Sequence, residues 1–396
     1  MVLPLTKRVA RLGVLLALGA APAGAQQSPA PAVEYRQREV AAAPEIKLRL
    51  EALREQGRAR GHTFQVGYTN ALDRRLEQLA GLVPPPNLPD RITAQRIIGV
   101  RARDQKMAEV LAKVCSATAG KFDWRQNKGT TPVRDQGGCG SCWAFTTHGA
   151  FEGAYRITAS QTIDSAEQDT LDCNPDGFSC AGGWWAFQYL VDTGTAKEAD
   201  YPYTATKGTC RTVKRPYKAK AWAYVGTSAI PSVAEMKQAL CSYGPLAIAV
   251  QVTSPFVAYT SGVFNACAQA WRPAAAYAVG DLVVHAPGTD IFACTTAGTS
   301  GAAEPAWPTP TNAVPHPTVN DGSVVWQHSG VVNHGITLVG WDDAKQAWLI
   351  KNSWGTTWGE TAGYGSEQGY MWLAYGCNNA GLGAAWVQAK GPDNCH

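Results

Sequence analysis

The stretch Gln136-Gly137-Gly138-Cys139-Gly140-Ser141-Cys142-Trp143-Ala144-Phe145 leads from a glycine-rich loop into an apolar segment. A cysteine at a helix N-terminus has its thiolate stabilised by the helix dipole, which lowers its pKa and makes it a nucleophile. Taken alone, Cys139-Gly140-Ser141-Cys142 also reads as a redox Cys-x-x-Cys pair or half of a zinc site. No second Cys pair or His pair at zinc spacing accompanies it, and no βαβ pattern surrounds it. A thiolate nucleophile needs a base, and the base needs an orienting partner. Asn333-His334-Gly335 heads a strand-like run to Trp341, and Asn352-Ser353-Trp354-Gly355 follows a second run, Leu349–Lys351. A lone His beside a strand is usually structural, and a lone Asn in a turn usually makes the turn. The combination of Cys142, His334 and Asn352 is what suggests acyl transfer.

The elements that must position these residues come from a chain of 396 residues, 45% hydrophobic and 17% charged, which suits one to three globular domains. Lys7, Arg8 and Arg11 precede the apolar run Leu12–Ala21, and Ala23-Gly24-Ala25 follows. This pattern predicts a signal peptide over residues 1–25, cleaved after Ala25, and hence a secreted or periplasmic protein. The run is too short for a membrane anchor, which needs about 20 apolar residues, so no membrane association is expected of the mature form. Eleven cysteines fit an oxidising compartment, and their odd number leaves at least one thiol unpaired within the chain. Residues 26–121 carry a net charge of +6 and residues 122–396 a net charge of −5. No single-sign cluster suggests a nucleic-acid surface, so no nucleic-acid partner is expected.

All 14 Trp lie at or after Trp124, so residues 26–121 have a texture of their own. Ile46, Leu50 and Leu53 recur at helical spacing, as do Leu72, Leu76 and Leu79, and Met107, Val110, Leu111 and Val114. Phe64, Val66 and Tyr68 alternate like a short strand, and Pro84-Pro85-Pro86 and Pro89 break the segment. With no Trp to build a core, these stripes are expected to pack on a partner surface. Residues 268–329 change texture again, being rich in Pro, Thr, Ala and Gly. Strand-like runs at Tyr277–His285 and Ser323–Gln327 predict a compact β-rich insert.

Together these motifs resemble the papain-like cysteine peptidases, such as papain and the cathepsins. The family's pattern around its nucleophile is present as Cys139 to Trp143, and the family places His and Asn roughly 130–150 residues after the Cys. Here His334 and Asn352 follow Cys142 by 192 and 210 residues, and removing the 62 residues 268–329 brings the spacings to 130 and 148. The subtraction predicts a discontinuous catalytic domain, 122–267 plus 330–396. Phe122-Asp123-Trp124-Arg125 resembles the start of a mature papain-like chain. Cys180-Ala181-Gly182-Gly183, Ser261-Gly262-Val263-Phe264 and Trp358-Gly359-Glu360 resemble further family segments.

The resemblance implies an α+β, papain-like two-lobed fold, with a helical lobe, a β-barrel lobe, a small all-β insert and an N-terminal pro-segment. It implies a thiol endopeptidase acting on peptide or protein substrates, made as a zymogen, with no metal or cofactor. Cys142 would be the nucleophile, His334 its base and Asn352 the orienting residue. The Gln136 amide and the Cys142 N–H would form the oxyanion hole. Gly182, Gly183, Trp184, Asn333, Gly335 and Trp354 would line the substrate cleft, and Trp184, Trp185, Val332, Asn333 and Gly335 an uncharged S2 pocket. Disulfides Cys139–Cys180, Cys173–Cys210 and Cys267–Cys377 are implied, while Cys115, Cys241, Cys294 and Cys395 have no family counterpart. Residues 26–121 would be an inhibitory pro-segment removed near Lys121, its docking aided by opposite net charge. The insert's rings at Trp271, Tyr277, Trp307 and Trp326 resemble those of small chitin- or cellulose-binding modules, which makes polysaccharide its candidate ligand. The alternatives are that the rings are simply its core, or that the insert covers the cleft. Two other functions compete: a transferase or amidase on the same triad, and an inactive binding protein. Replacement of the nucleophile or base would favour the second, and all four polar positions are filled.

Overall fold

The computed structural model describes residues 33–390 other than 106–108, 110, 112, 286–289 and 312. The expected signal peptide, Met107, Val110 and Cys395 lie outside the described residues. Helix Pro44–Arg60 opens with proline in its first turn, where a missing N–H breaks no helical bond, and stops at Gly61 in the left-handed conformation (φ 66°). Its apolar stripe turns inward: Leu50 is buried, and Ile46 and Leu53 pack on the main core. The stripe Leu72, Leu76, Leu79 does not make one helix. A 3-10 turn, Asn70–Asp73, and a single helical turn, Leu76–Leu79, are separated by extended backbone at Arg74. Arg74 is drawn out to Asp135 in a two-pronged ion pair of 2.7 and 2.9 Å. The prolines that interrupt the segment also start the next element, because Pro89 sits in the first turn of helix Leu88–Ala102.

A nine-stranded mixed sheet carries the body of the protein. Its order is Thr63–Val66, Tyr259–Phe264, Tyr370–Ala374, Ala347–Lys351, His334–Asp342, Leu246–Val250, Leu382–Ala389, Ala219–Tyr224, with Lys121–Asp123 also paired to His334–Asp342. One apolar cluster lies on it, around Leu246, Ile248, Leu338, Trp341, Trp348 and Ile350. A second cluster lies among the helices, around Trp143, Phe151, Leu171, Phe187 and Leu190. The expected β-barrel is not found: no closed barrel occurs among the described residues, and the sheet is an open path.

The sheet stays open because its end strands, Thr63–Val66 and Ala219–Tyr224, do not pair with each other, and parts of the N-terminal segment lie at both ends. Thr63–Val66 adds an antiparallel strand to Tyr259–Phe264, pairing Thr63 with Val263 and Phe64 with Gly262. At the far edge helix Leu88–Ala102 lies on Ala219–Tyr224, and the Gln95 amide donates to the Trp222 carbonyl at 3.1 Å. The approach is so close that a Cβ on Gly99 would stand 2.0 Å from the Trp222 oxygen.

Residues 269–330 carry a separate five-stranded sheet of order Thr318–Asp321, Val324–Gly330, Ile291–Thr296, Leu282–Val284, Gln269–Ala270, and a two-stranded ladder of Gly298–Thr299 with Ala276–Tyr277. Tyr277 and Trp326 are buried in its core with Val283, Phe292, Cys294 and Val324. Trp271 and Trp307 are half-buried, with indole N–H groups donating to Asp321 and Glu304 at 2.7 Å each. Two of the four rings considered for sugar stacking are therefore interior. The stretch touches the N-terminal segment instead: Arg60 pairs with Asp281 at 2.6 Å, and the Gln56 amide donates to the Val279 carbonyl at 3.2 Å.

The three implied disulfides are present, together with a fourth, Cys115–Cys241. Among the described residues Cys142 and Cys294 are the free thiols.

The contact at Gly99 gives a test. Overpacking a tight contact costs about 1–3 kcal/mol, so Gly99→Val should loosen the N-terminal segment and speed labelling of Cys142 in the uncut chain by about tenfold or more. The measurement is the labelling rate with a peptidyl epoxide. An unchanged rate would show that this edge contact does not hold the segment down.

Candidate active site

Cys142 is the first residue of helix Cys142–Ala159, which follows the loop fixed by the Cys139–Cys180 disulfide. His334 is the first residue of strand His334–Asp342, and Asn352 follows strand Ala347–Lys351, its antiparallel neighbour. Cys142, His334 and Asn352 are buried.

His334 Nε2 and Asn352 Oδ1 are 2.8 Å apart. The same oxygen accepts the Ser353 backbone N–H at 2.8 Å, and a backbone N–H can only donate, so this atom is the oxygen of the amide. Nε2 must then carry the hydrogen, and Nδ1, which has no hydrogen-bond partner among the described residues, is left with a lone pair. The Trp354 ring lies 4.7 Å from the imidazole, centroid to centroid, and keeps water from the His334–Asn352 bond.

Gln136 is also fixed. Its Oε1 accepts from Ser353 Oγ at 2.8 Å, and its backbone N–H donates to the Ser353 carbonyl at 2.8 Å. Its Nε2 donates to the Cys139 carbonyl at 2.9 Å and faces the carbonyls of Gln78 and Leu79, each at 3.2 Å. One amide hydrogen is thus committed to the loop and the other points to the chain in the cleft. Ser353, which orients Gln136, escaped notice in the sequence because a serine beside Asn352 carries no signal of its own.

The occupant of the cleft is the protein's own N-terminal segment. The Gly81 N–H donates to Cys142 Sγ at 3.3 Å. Gly183 N–H donates to the Gly81 carbonyl, Val83 N–H to the Gly183 carbonyl and Leu82 N–H to the Asn333 carbonyl, all at 2.9 Å. The Trp354 indole donates to the Leu79 carbonyl at 3.3 Å. A Cβ at position 81 would stand 1.9 Å from the Gly140 oxygen, so only glycine passes here. Leu82 belongs to one buried apolar cluster with Trp184, Trp185, Val332 and Leu382. Gly335 lets its strand pack closely here, because a Cβ there would meet Thr146 Oγ1 at 2.8 Å and the Trp185 ring at 3.1 Å. Asn333 does not offer its amide to the cleft. Its Oδ1 accepts the Val252 N–H at 2.7 Å and its Nδ2 donates to the Val252 carbonyl at 3.2 Å. Gly182 adopts φ 141° and turns the chain into Gly183.

Burial under this segment sets the electrostatics. It pushes the Cys142 thiol up to about 11, against the opposing pull of the Gly335, Gly81 and Trp143 backbone N–H groups. It pushes His334 down to about 4, with the Asn352 hydrogen bond acting the other way. A thiol is neutral below its pKa and an imidazole is neutral above its own. Burial thus disfavours the thiolate and the imidazolium alike while the segment is in place. The thiolate ultraviolet absorbance that disappears in Cys142→Ser should accordingly be missing from the uncut chain at pH 7 and emerge only in alkali. After the segment is removed it should be present at pH 7. Equal thiolate signals before and after removal would contradict this account.

The family model for papain family cysteine proteases matches residues 118–280 and 319–387. A cathepsin L-like proteinase of Fasciola hepatica is 31% identical over 286 residues, 70% of this chain and 68% of that protein. Cathepsin L 2 of Paramecium tetraurelia is 33% identical over 247 residues, 61% of this chain, and the chain spans 57% of that relative's length. Among solved structures, digestive procathepsin L2 proteinase from the Tenebrio molitor larval midgut shares the fold, with a TM-score of 0.56 and 21% identity over 90% of this chain and 98% of that one. The chain belongs to the papain family of cysteine proteases.

Proposed function

We propose that the chain is the exported precursor of an endopeptidase working through Cys142, His334 and Asn352, with residues 26–121 as its inhibitor. The observation that carries this reading is the peptide already lying in the cleft, with the Gly81 N–H on Cys142 Sγ and the Leu79 carbonyl before the Gln136 amide. The Gly81 N–H occupies the sulfur, so the segment stands where a substrate would have to enter.

In the freed enzyme the Cys142 proton passes to His334 Nδ1, the nitrogen left open by the Nε2–Asn352 bond. The thiolate attacks the scissile carbonyl. Charge developing on its oxygen is met by Gln136 Nε2 and by the Cys142 N–H at the helix start, where the dipole favours negative charge. The imidazolium gives its proton to the leaving amine and then draws one from water to hydrolyse the thioester. Trp354 and Ser353 hold the base and the oxyanion donor in position. Gly182, Gly183 and Trp184 form the opposite wall, where Gly183 exchanges backbone hydrogen bonds with the bound chain.

A transferase or amidase is less well supported, because the cleft pairs backbone to backbone with a peptide chain, Gly183 bonding to Gly81 and Val83. The export proposal rests on residues 1–25; among the described residues no helix is long and apolar enough to cross a membrane.

In the processed enzyme Cys142→Ala should leave only background peptide hydrolysis. Gln136→Ala, which removes one oxyanion donor, should lower kcat about 10²–10³-fold. Asn352→Ala should retain more activity than His334→Ala. Steady-state kinetics on one fluorogenic peptide decides all four, and substantial turnover by Cys142→Ala would end the proposal. The apolar surroundings of Leu82 make a second forecast: peptides with Leu or Phe at P2 should be cut in preference to those with Arg or Asp. A P2-varied series that favours Arg would show that Leu82 does not report the specificity pocket.

A further inference from the structure

Cys115 lies inside residues 26–121, yet its disulfide partner Cys241 is on helix Val233–Tyr243, in the body of the protease. Both residues are buried, at 3% and 1% exposure. Leu111, one turn earlier, is buried in the same core as Trp124, Leu240 and Trp386, and its carbonyl accepts the N–H groups of Val114 and Cys115. The chain after Cys115 stays bound. The Trp341 indole donates to the Ala119 carbonyl at 2.8 Å, the Asp343 N–H donates to the Gly120 carbonyl at 2.7 Å, and Lys121–Asp123 is a strand of the main sheet. Leu111, Cys115 and residues 119–123 are thus each held to the body of the protein.

The inhibitory stretch around Gly81 lies on the other side of this anchor. A cut near Lys121 breaks the backbone but leaves residues 33–115 covalently held through Cys115. A tethered inhibitor rebinds at an effective concentration in the millimolar range, which raises its apparent affinity about 10²–10⁴-fold over the free segment.

We propose that the maturation cut that opens the cleft falls on the N-terminal side of Leu111. The mature enzyme keeps residues 111–121 as an N-terminal arm pinned to helix Val233–Tyr243 by Cys115–Cys241. The step is one peptide-bond hydrolysis, consuming one water, and the disulfide is neither reduced nor exchanged. This inference rests on the reading of residues 26–121 as an inhibitor.

The test takes the full-length precursor, lets it mature, and reads the N-terminus and intact mass without reductant. The expected product begins at or before Leu111, and reduction releases no further peptide from it. In a second precursor, Ala117–Gly120 are replaced by the recognition site of a sequence-specific protease, in the Cys142→Ala background. Cutting there should leave the segment attached on a non-reducing gel. The same cut in Cys115→Ser should weaken its retention on gel filtration in high salt by about a hundredfold or more. A mature enzyme that begins after Cys115 and is free of the segment under non-reducing conditions would overturn the inference. If Cys115→Ser does not fold, the N-terminus of the wild-type product still decides. Full peptide hydrolysis by the uncut precursor would instead overturn the inhibitor reading itself.

Discussion

The helix that begins at Cys142 lies directly against the strand that begins at His334. A Cβ on Gly149 would stand 2.5 Å from Thr337 Oγ1, and one on Gly335 would stand 2.8 Å from Thr146 Oγ1. Cys142 and His334, the proposed nucleophile and base, are separated by 192 residues in the chain, so their relative position depends on this contact. Missing side chains on both sides let the two backbones approach closely, and that sets the depth at which each first residue enters the cleft. Beneath the contact, polar groups bind across the boundary between the two clusters. Lys351 Nζ donates to the Thr131 carbonyl at 2.7 Å, and Glu152 accepts from Thr131 Oγ1 and from the Ser165 N–H and Oγ. Burial pushes Lys351 down, and burial aided by the Glu152 charge pushes Glu167 up. Buried polar groups of this kind are tolerable only when satisfied, so they fix one arrangement of the two sides.

The N-terminal segment exploits the same burial. An ion pair of thiolate and imidazolium is stable where water or fixed dipoles solvate it. The stretch around Gly81 excludes water and supplies one N–H to the sulfur, too little to hold the charge. On the proposed reading, the segment blocks access to Cys142, and burial beneath it disfavours the thiolate as well. The opposite net charges of the two parts are realised in the contacts Arg74–Asp135 and Arg60–Asp281, although Lys220–Asp104 runs the other way. Partly exposed pairs of this sort are worth about 0–1 kcal/mol each. Leu79, Leu82, Leu88 and Ile92 are buried, and a fully buried apolar side chain contributes about 1.5–3 kcal/mol, so apolar contact outweighs these ion pairs in holding the segment.

Residues 269–330 follow the Cys267–Cys377 disulfide and rejoin the body just ahead of His334, with Ala268 N–H bonded to Asn378 Oδ1 at 2.8 Å and the Gln251 amide bonded to the Ser329 carbonyl at 2.7 Å. Their ends are thus tied at the base of the strand that carries the catalytic base. The rings of Tyr277, Phe292 and Trp326 fill their small core, and Asp281 turns toward Arg60. Within the precursor, the stretch serves as a neighbour of the inhibitory segment.

The sequence by itself determined the family and the side chains proposed for its chemistry. Cys142, His334, Asn352 and Gln136 were legible as candidates because each stands in a short local motif, and the structure adds the His334–Asn352 and Gln136–Ser353 hydrogen bonds. The apolar stripe of helix Pro44–Arg60 and three of the four disulfides were legible as well, the latter through family resemblance. Tertiary structure alone decided what depends on backbone atoms and long-range pairing. Every residue but proline has an N–H, and all have a carbonyl, so nothing in the text of residues 79–83 announced that they would occupy the cleft. The open sheet has the same origin, since strand Thr63–Val66 and helix Leu88–Ala102 lie against strands whose residues are far away in the chain. Cys115–Cys241 joins positions 126 residues apart, and cysteines have no pairing code that spacing can reveal, so only folding could bring those two sulfurs together.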